Sequence, residues 1–137
     1  MTDTNGEPVL FDDFIPGQSL GSCELEYDDA LVQGWRRIFG DDEFQPGSKA
    51  EAASAAVILM MRAYLTVVSP RPPGNIQARQ SIAYASLPNV GQRLRVSLDC
   101  HAKEMKRGRR YVELLAQGQN PEGVAVFKGV LTLVWAA

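Results

Sequence analysis

At 137 residues with a formal net charge of −2, the chain is sized for one domain, expected to span 1–137. It gives no electrostatic reason to expect nucleic acid as a partner. The two cysteines, Cys23 and Cys100, form no C-x-x-C pair and the chain has one histidine, so no metal site is expected. No basic stretch leads into an apolar run at the start, so no signal peptide is expected and the protein is placed in the cytoplasm with reduced thiols.

Phe11-Asp12-Asp13-Phe14-Ile15-Pro16-Gly17 reads as an arm closed by a Pro-Gly turn. Leu20 to Tyr27 alternates, with Cys23, Leu25 and Tyr27 on one side and Glu24 and Glu26 on the other, which predicts a half-exposed strand. Asp28 or Asp29 then caps a short helix, whose apolar stripe is Leu31, Trp35, Ile38 and Phe39 and whose terminator is Gly40. Asp41-Asp42-Glu43-Phe44-Gln45-Pro46-Gly47 leads into the longest apolar run, Ser48 to Val68.

Ser48 and Glu51 have the spacing of a capping box, alanine, leucine and methionine favour helix across the run, and Pro70, Pro72 and Pro73 stop it. Apolar residues fall on every side of this helix, and Arg62 is the only charge between Ala52 and Val68. The run is too short, too alanine-rich and too interrupted by Arg62 for a membrane span. A helix buried on most faces is the expectation, with Ile58 or Leu59 to alanine costing ~2–5 kcal/mol.

Four strand patterns follow: Ile76 to Ser86, Arg93 to Lys103, about Arg110 to Gln117, and Val124 to Trp135. Tight turns between them predict an antiparallel meander. The basic stretch Lys103 to Arg110 is centred on Gly108 and reads as a solvated hairpin turn; the alternative is an anion contact with a phosphate-bearing ligand or acidic partner. His101 shares its strand face with Arg95, Asp99 and Lys103 and is expected to face solvent. The expected fold class is α+β: a curved antiparallel sheet wrapped around one long buried helix, the hotdog arrangement. A cystatin-like sheet packed on one helix is the alternative, but it leaves one helix side wet.

The arm Phe11 to Gly17, the Asp28-Asp29 helix start and Trp35-Arg36-Arg37-Ile38-Phe39-Gly40-Asp41 together resemble the opening of MaoC-like hotdog proteins. Pro88-Asn89-Val90-Gly91 and Asn120-Pro121-Glu122-Gly123 resemble the later part of that family, which includes (R)-specific enoyl-CoA hydratases and 3-hydroxyacyl dehydratases. Active relatives carry G-D-x-N-P-x-H after the short helix. Asp41 matches the aspartate, but Glu43 and Phe44 replace the asparagine and proline, and Pro46 stands where the histidine belongs.

The resemblance implies a divergent hydratase or dehydratase acting on an acyl thioester. A non-catalytic subunit that completes a partner's site, or a thioesterase using the acidic loop, are the other readings. Hydration needs a base, an acid and donors for the developing enolate oxygen. Asp41, Asp42 and Glu43 are the candidate carboxylates, set against the plain reading of a solvated acidic loop. Backbone N–H groups near Ser48 are the candidate donors. Arg62 either snorkels outward, pairs with an acid across a dimer interface or meets a ligand phosphate. Arg71, Asn75 and Arg79, with Gln77, surround the helix exit and are candidate contacts for the carrier end of the substrate. No cofactor is expected beyond coenzyme A or phosphopantetheine borne by the substrate. The expected assembly is a homodimer or hotdog heterodimer, because an isolated sheet leaves an open edge.

Overall fold

The protein is described by a computed structural model over residues 6–39 and 49–137. Gly40, Asp41, Asp42, Glu43, Pro46 and Ser48 lie outside the described residues, so the acidic loop and the Ser48 cap are not placed. A 3-10 turn at Phe11–Asp13 precedes β1 (Ser19–Glu26), α1 (Asp29–Phe39), α2 (Lys49–Val67), β2 (Ile76–Tyr84), β3 (Arg93–Lys106), β4 (Arg109–Gln119) and β5 (Ala125–Trp135). The five strands form one antiparallel sheet in the order β1-β3-β4-β5-β2, which leaves β1 and β2 at its edges.

Alternation sets which face of the sheet is dry. Leu94, Val96, Leu98 and Cys100 of β3, Val112, Leu114 and Ala116 of β4, and Leu131, Leu133 and Trp135 of β5 are all buried. Against them lies α2, whose buried side carries Ala52, Ala55, Ala56, Leu59, Met60, Ala63, Tyr64 and Val67. Alanine at three of the first four of these positions brings the helix close to the strands. Gly129 of β5 continues this close approach, since a Cβ there would collide with the Met60 sulfur. The N-terminal arm seals one end: Phe14 packs edge-on to Trp135 with centroids 4.9 Å apart, and the Trp135 indole donates to the Val9 carbonyl. This is the hotdog arrangement expected from the sequence.

Three local expectations change. The long helix is not dry all round: Ile58 is 40% and Leu65 46% exposed, and Arg62 lies open with them. The reason is geometric, because α2 rests over β1, β3 and β4, and one chain's sheet does not reach round to its remaining flank. In α1 the buried pair is Leu31 and Val32, while Ile38 is 76% exposed. Of the two candidate caps, Asp28 does the capping, its Oδ1 accepting from the Leu31 N–H at 3.0 Å.

The third change lies in β3. A bulge between Cys100 and Ala102 reverses the alternation there. Ala102 is thereby paired with Glu113, and Lys103 with the buried Val112. Lys103 Nζ donates to the Phe11 carbonyl at 3.1 Å and lies 4.7 Å from the Phe11 ring centre. His101 is exposed at the bulge, as expected. The basic stretch is a hairpin turn, with Arg107 and Gly108 both in the left-handed region at φ 54° and 76°, the conformation a two-residue connection needs to match strand twist.

Candidate functional site

The sequence candidates sort themselves along α2. Its 19 residues make a rod about 28 Å long. Arg71 and Asn75 stand at its C-terminal end. β2 runs antiparallel to the helix: the Tyr84 hydroxyl donates to the Ala53 carbonyl at 2.8 Å near the helix start, whereas Ile76 shares a groove with Leu65 near the helix end. Of the predicted site residues that are described, Arg71 and Asn75 share that groove.

At the helix start stands a pair that periodicity could not reveal. Glu51 is 2% exposed and is the only buried charged side chain among the described residues. The Tyr27 hydroxyl, arriving from just beyond β1, donates to Glu51 Oε2. Tyr27 itself is fully buried. Its own proton is held far more tightly than usual, first by burial, then by the hydrogen bond and the negative charge of Glu51. Tyr27 is thus a fixed donor at neutral pH. The local fold explains the meeting: Tyr27 exchanges backbone hydrogen bonds with Gln92 and Gly91, which pins it at the base of the sheet, and the first turn of α2 aims Glu51 at it. The capping-box spacing had marked Glu51 only as a helix-start residue. That the side chain turns inward depends on where β1 ends, which is a tertiary fact.

At the helix end, Arg71 serves the helix first. Its Nη1 donates to the carbonyls of Leu65 and Val68, both at 2.8 Å, and its guanidinium sits 5.6 Å from the Tyr64 ring centre. These are carbonyls that a helix C-terminus leaves without an internal partner. Asn75 Oδ1 accepts from the Ala136 N–H at 2.7 Å, while its buried Nδ2 has no hydrogen-bond partner among the described residues. Both residues line a groove of about 350 Å³ with Met61, Leu65 and Ile76. Burial raises the Tyr64 hydroxyl's pKa, and the charge of Arg71 opposes this.

Arg62 and Arg79 do not join that groove. Arg62 is exposed on the open flank of α2, and no ion pair engages it among the described residues. Arg79 is paired with Thr132 on the sheet face turned away from the helix, because a bulge between Gln77 and Arg79 shifts the register. The thiols offer little chemistry: burial pushes both Cys23 and Cys100 up in pKa, with Lys103 opposing the rise at Cys100. No grouping of His, Cys, Asp and Glu that could hold a metal occurs among the described residues.

Comparison with known proteins bears on the fold. No protein-family model matches the sequence, and the curated proteins give no match. Among solved structures, a MaoC-like dehydratase from Rhodospirillum rubrum superposes at TM-score 0.73 with 17% identity, over 93% of this chain and 96% of that one. The unliganded R-hydratase PhaJ1 from Pseudomonas aeruginosa gives 0.69 with 19% identity, over 93% and 86%. The HadBC 3R-hydroxyacyl-ACP dehydratase complex from Mycobacterium tuberculosis gives 0.66 with 17% identity, over 88% and 98%. The chain has the hotdog fold, and these structural neighbours are MaoC-like dehydratases and (R)-hydratases.

Proposed function

We propose that this protein is a divergent MaoC-like hydratase or dehydratase acting on an acyl thioester, carried by coenzyme A or by a phosphopantetheine arm. The observation that carries the reading is the buried carboxylate of Glu51, held by Tyr27 at the start of the central helix, in a fold whose solved neighbours include hydratases and dehydratases. A carboxylate kept in a dry setting is expensive unless it is paired or used. The helix start supplies backbone N–H groups able to stabilise a developing oxyanion. Asp41 is the proposed base for water, with Asp42 and Glu43 beside it and Glu51 as the second carboxylate. The family histidine's place is taken by Pro46, so this chemistry runs on carboxylates.

A dimer completes the reading. β2 is an open edge and nearly all its residues are exposed. Two copies joined edge to edge about a two-fold axis run their β2 strands antiparallel. The Arg71 and Asn75 end of one copy then lies beside the Tyr84 and Glu51 end of the other. Residues about 28 Å apart along one helix become parts of one site across the interface, and Arg62 lies on the flank turned toward it.

Loss of enoyl-CoA ultraviolet absorbance tests the proposal with wild type, Asp41→Ala and Glu51→Gln. Hydration by wild type, reduced ~10²–10⁴-fold in Asp41→Ala, is expected. Equal rates in wild type and Asp41→Ala remove Asp41 from catalysis. Release of free thiol instead identifies a thioesterase. Absence of both reactions, with binding of a non-hydrolysable acyl-CoA analogue, leaves the non-catalytic subunit.

A further inference from the structure

The face of the sheet turned away from α2 carries a second concavity that the thioester reading does not use. It holds about 580 Å³, a volume in the range of small-molecule sites. Three polar side chains stand abreast in it on neighbouring strands. Arg79 of β2 is opposite Thr132 of β5, and Thr132 is opposite Glu113 of β4. Ala102 of β3 completes the row beside Glu113. Two bulges set this row. An unbroken register would put Ala78 opposite Thr132 and His101 opposite Glu113, and the extra residue in β2 and in β3 brings Arg79 and Ala102 there instead. A cation is thereby placed on one side of Thr132 and a carboxylate on the other, with only a methyl group beyond the carboxylate.

Arg79 and Glu113 form no ion pair among the described residues. One strand lies between theirs, so their Cα atoms are about 10 Å apart. Side chains standing upright from a sheet keep that separation, with the Thr132 hydroxyl in the gap. A simple anion would leave Glu113 unmatched, and a simple amine would leave Arg79 unmatched. A zwitterion satisfies both. A carboxylate on the guanidinium and an ammonium on Glu113 each take a contact of about 2.8 Å, and the two groups of an α-amino acid, joined through a single carbon, fill the remaining width. The Thr132 hydroxyl donates to the ligand carboxylate between them. One row further along the strands, Tyr111 is paired with Glu104, and its ring extends the floor for an apolar side chain. At the far wall Glu104 and Lys106 of β3 carry opposite signs, so no net charge is selected there.

We propose that this cleft binds a free α-amino acid with a large apolar side chain, its carboxylate on Arg79 and its ammonium on Glu113. The site stands apart from the hydratase reading. It lies on the opposite face of the sheet and uses none of the residues to which the proposed reaction is assigned.

Calorimetric titration of the full chain with phenylalanine, phenylalaninamide, N-acetylphenylalanine and glycine tests it. Phenylalanine is expected to bind ~ten-fold more tightly than the amide, which lacks the carboxylate, and than the N-acetyl compound, which lacks the ammonium. Glycine keeps both charges but loses the contact with Tyr111, and should also bind ~ten-fold more weakly. Arg79→Ala should erase the preference for phenylalanine over its amide and keep the preference over the N-acetyl compound. Glu113→Ala should do the reverse. Loss of one preference without the other is a result that general damage to the fold does not produce. Both positions lie outside the core, and unchanged circular dichroism confirms folding. Equal affinity for phenylalanine and any of the other three ligands, preferences untouched by either substitution, or no phenylalanine binding at millimolar concentration overturns the site. None of those outcomes bears on enoyl-CoA hydration.

Discussion

The Tyr27–Glu51 pair couples a stability cost to a chemical capability. Removing Glu51 strands the Tyr27 hydroxyl in the interior, at ~1–3 kcal/mol, and removing Tyr27 takes one hydrogen bond from the buried carboxylate. Tyr27→Phe and Glu51→Leu should each destabilise the protein, and the double variant should lose less than the sum of the two by at least ~1 kcal/mol. Urea denaturation of the four proteins checks this, and simple additivity would mean the two side chains do not depend on each other. The tyrosine also sets an alkaline limit. Its folded-state pKa is raised by burial and by Glu51, so the folded protein keeps a proton that the unfolded chain loses above about pH 10. The stabilisation is whole below that pH and declines as pH rises further, by up to ~1.4 kcal/mol per unit. Tyr27→Phe should show a shallower decline, measured as denaturation midpoint against pH from 9 to 11.

At the scale of elements, α2 shows what periodicity conveys and what it hides. Alanine-rich composition and flanking prolines located the helix to within a residue or two of Lys49–Val67. Their apolar character on every side implied burial on most faces, Ile58 included, yet the flank with Ile58 and Leu65 is open in the single chain. Composition reports that a surface needs cover without saying whether the same chain supplies it. Leu59→Ala should therefore cost ~2–5 kcal/mol, whereas Ile58→Ala should cost under ~1 kcal/mol in dilute monomer. Chemical denaturation at low protein concentration separates them, and equal losses would place Ile58 in the intramolecular core. The strand alternation was equally legible until Cys100. There one extra residue moved Ala102 and Lys103 to opposite faces from those the pattern assigned, since a bulge leaves no mark on a binary apolar pattern. Glu51 escaped notice for a related reason: its spacing from Ser48 gave a sufficient local role, and only the end of β1 reveals the other one.

For the whole molecule, the open flank of α2 and the open edge of β2 are two signs of one incomplete surface. Ile58, Met61 and Leu65 follow the helix as Ile76 to Tyr84 follow the edge, and one groove joins Met61 and Leu65 to Ile76. A row of unpaired backbone groups beside exposed aliphatic side chains invites association. A two-fold axis perpendicular to the sheet places one β2 residue opposite its own copy, because paired residues share a face and neighbours along a strand do not. Arg79 there sets like charges face to face, which is unfavourable. Gln80 on the axis sets amide against amide and leaves Arg79 opposite Ser81. Light scattering at micromolar concentration should give twice the chain mass for the wild type and a single chain for Leu65→Glu, which buries an unpaired carboxylate if the flanks meet. Gln80→Cys should link two chains under mild oxidation, whereas Tyr84→Cys, opposite Ile76 in that register, should not. A monomeric wild type, or linkage through position 84 in place of 80, would remove the arrangement that joins the two ends of α2 into one site.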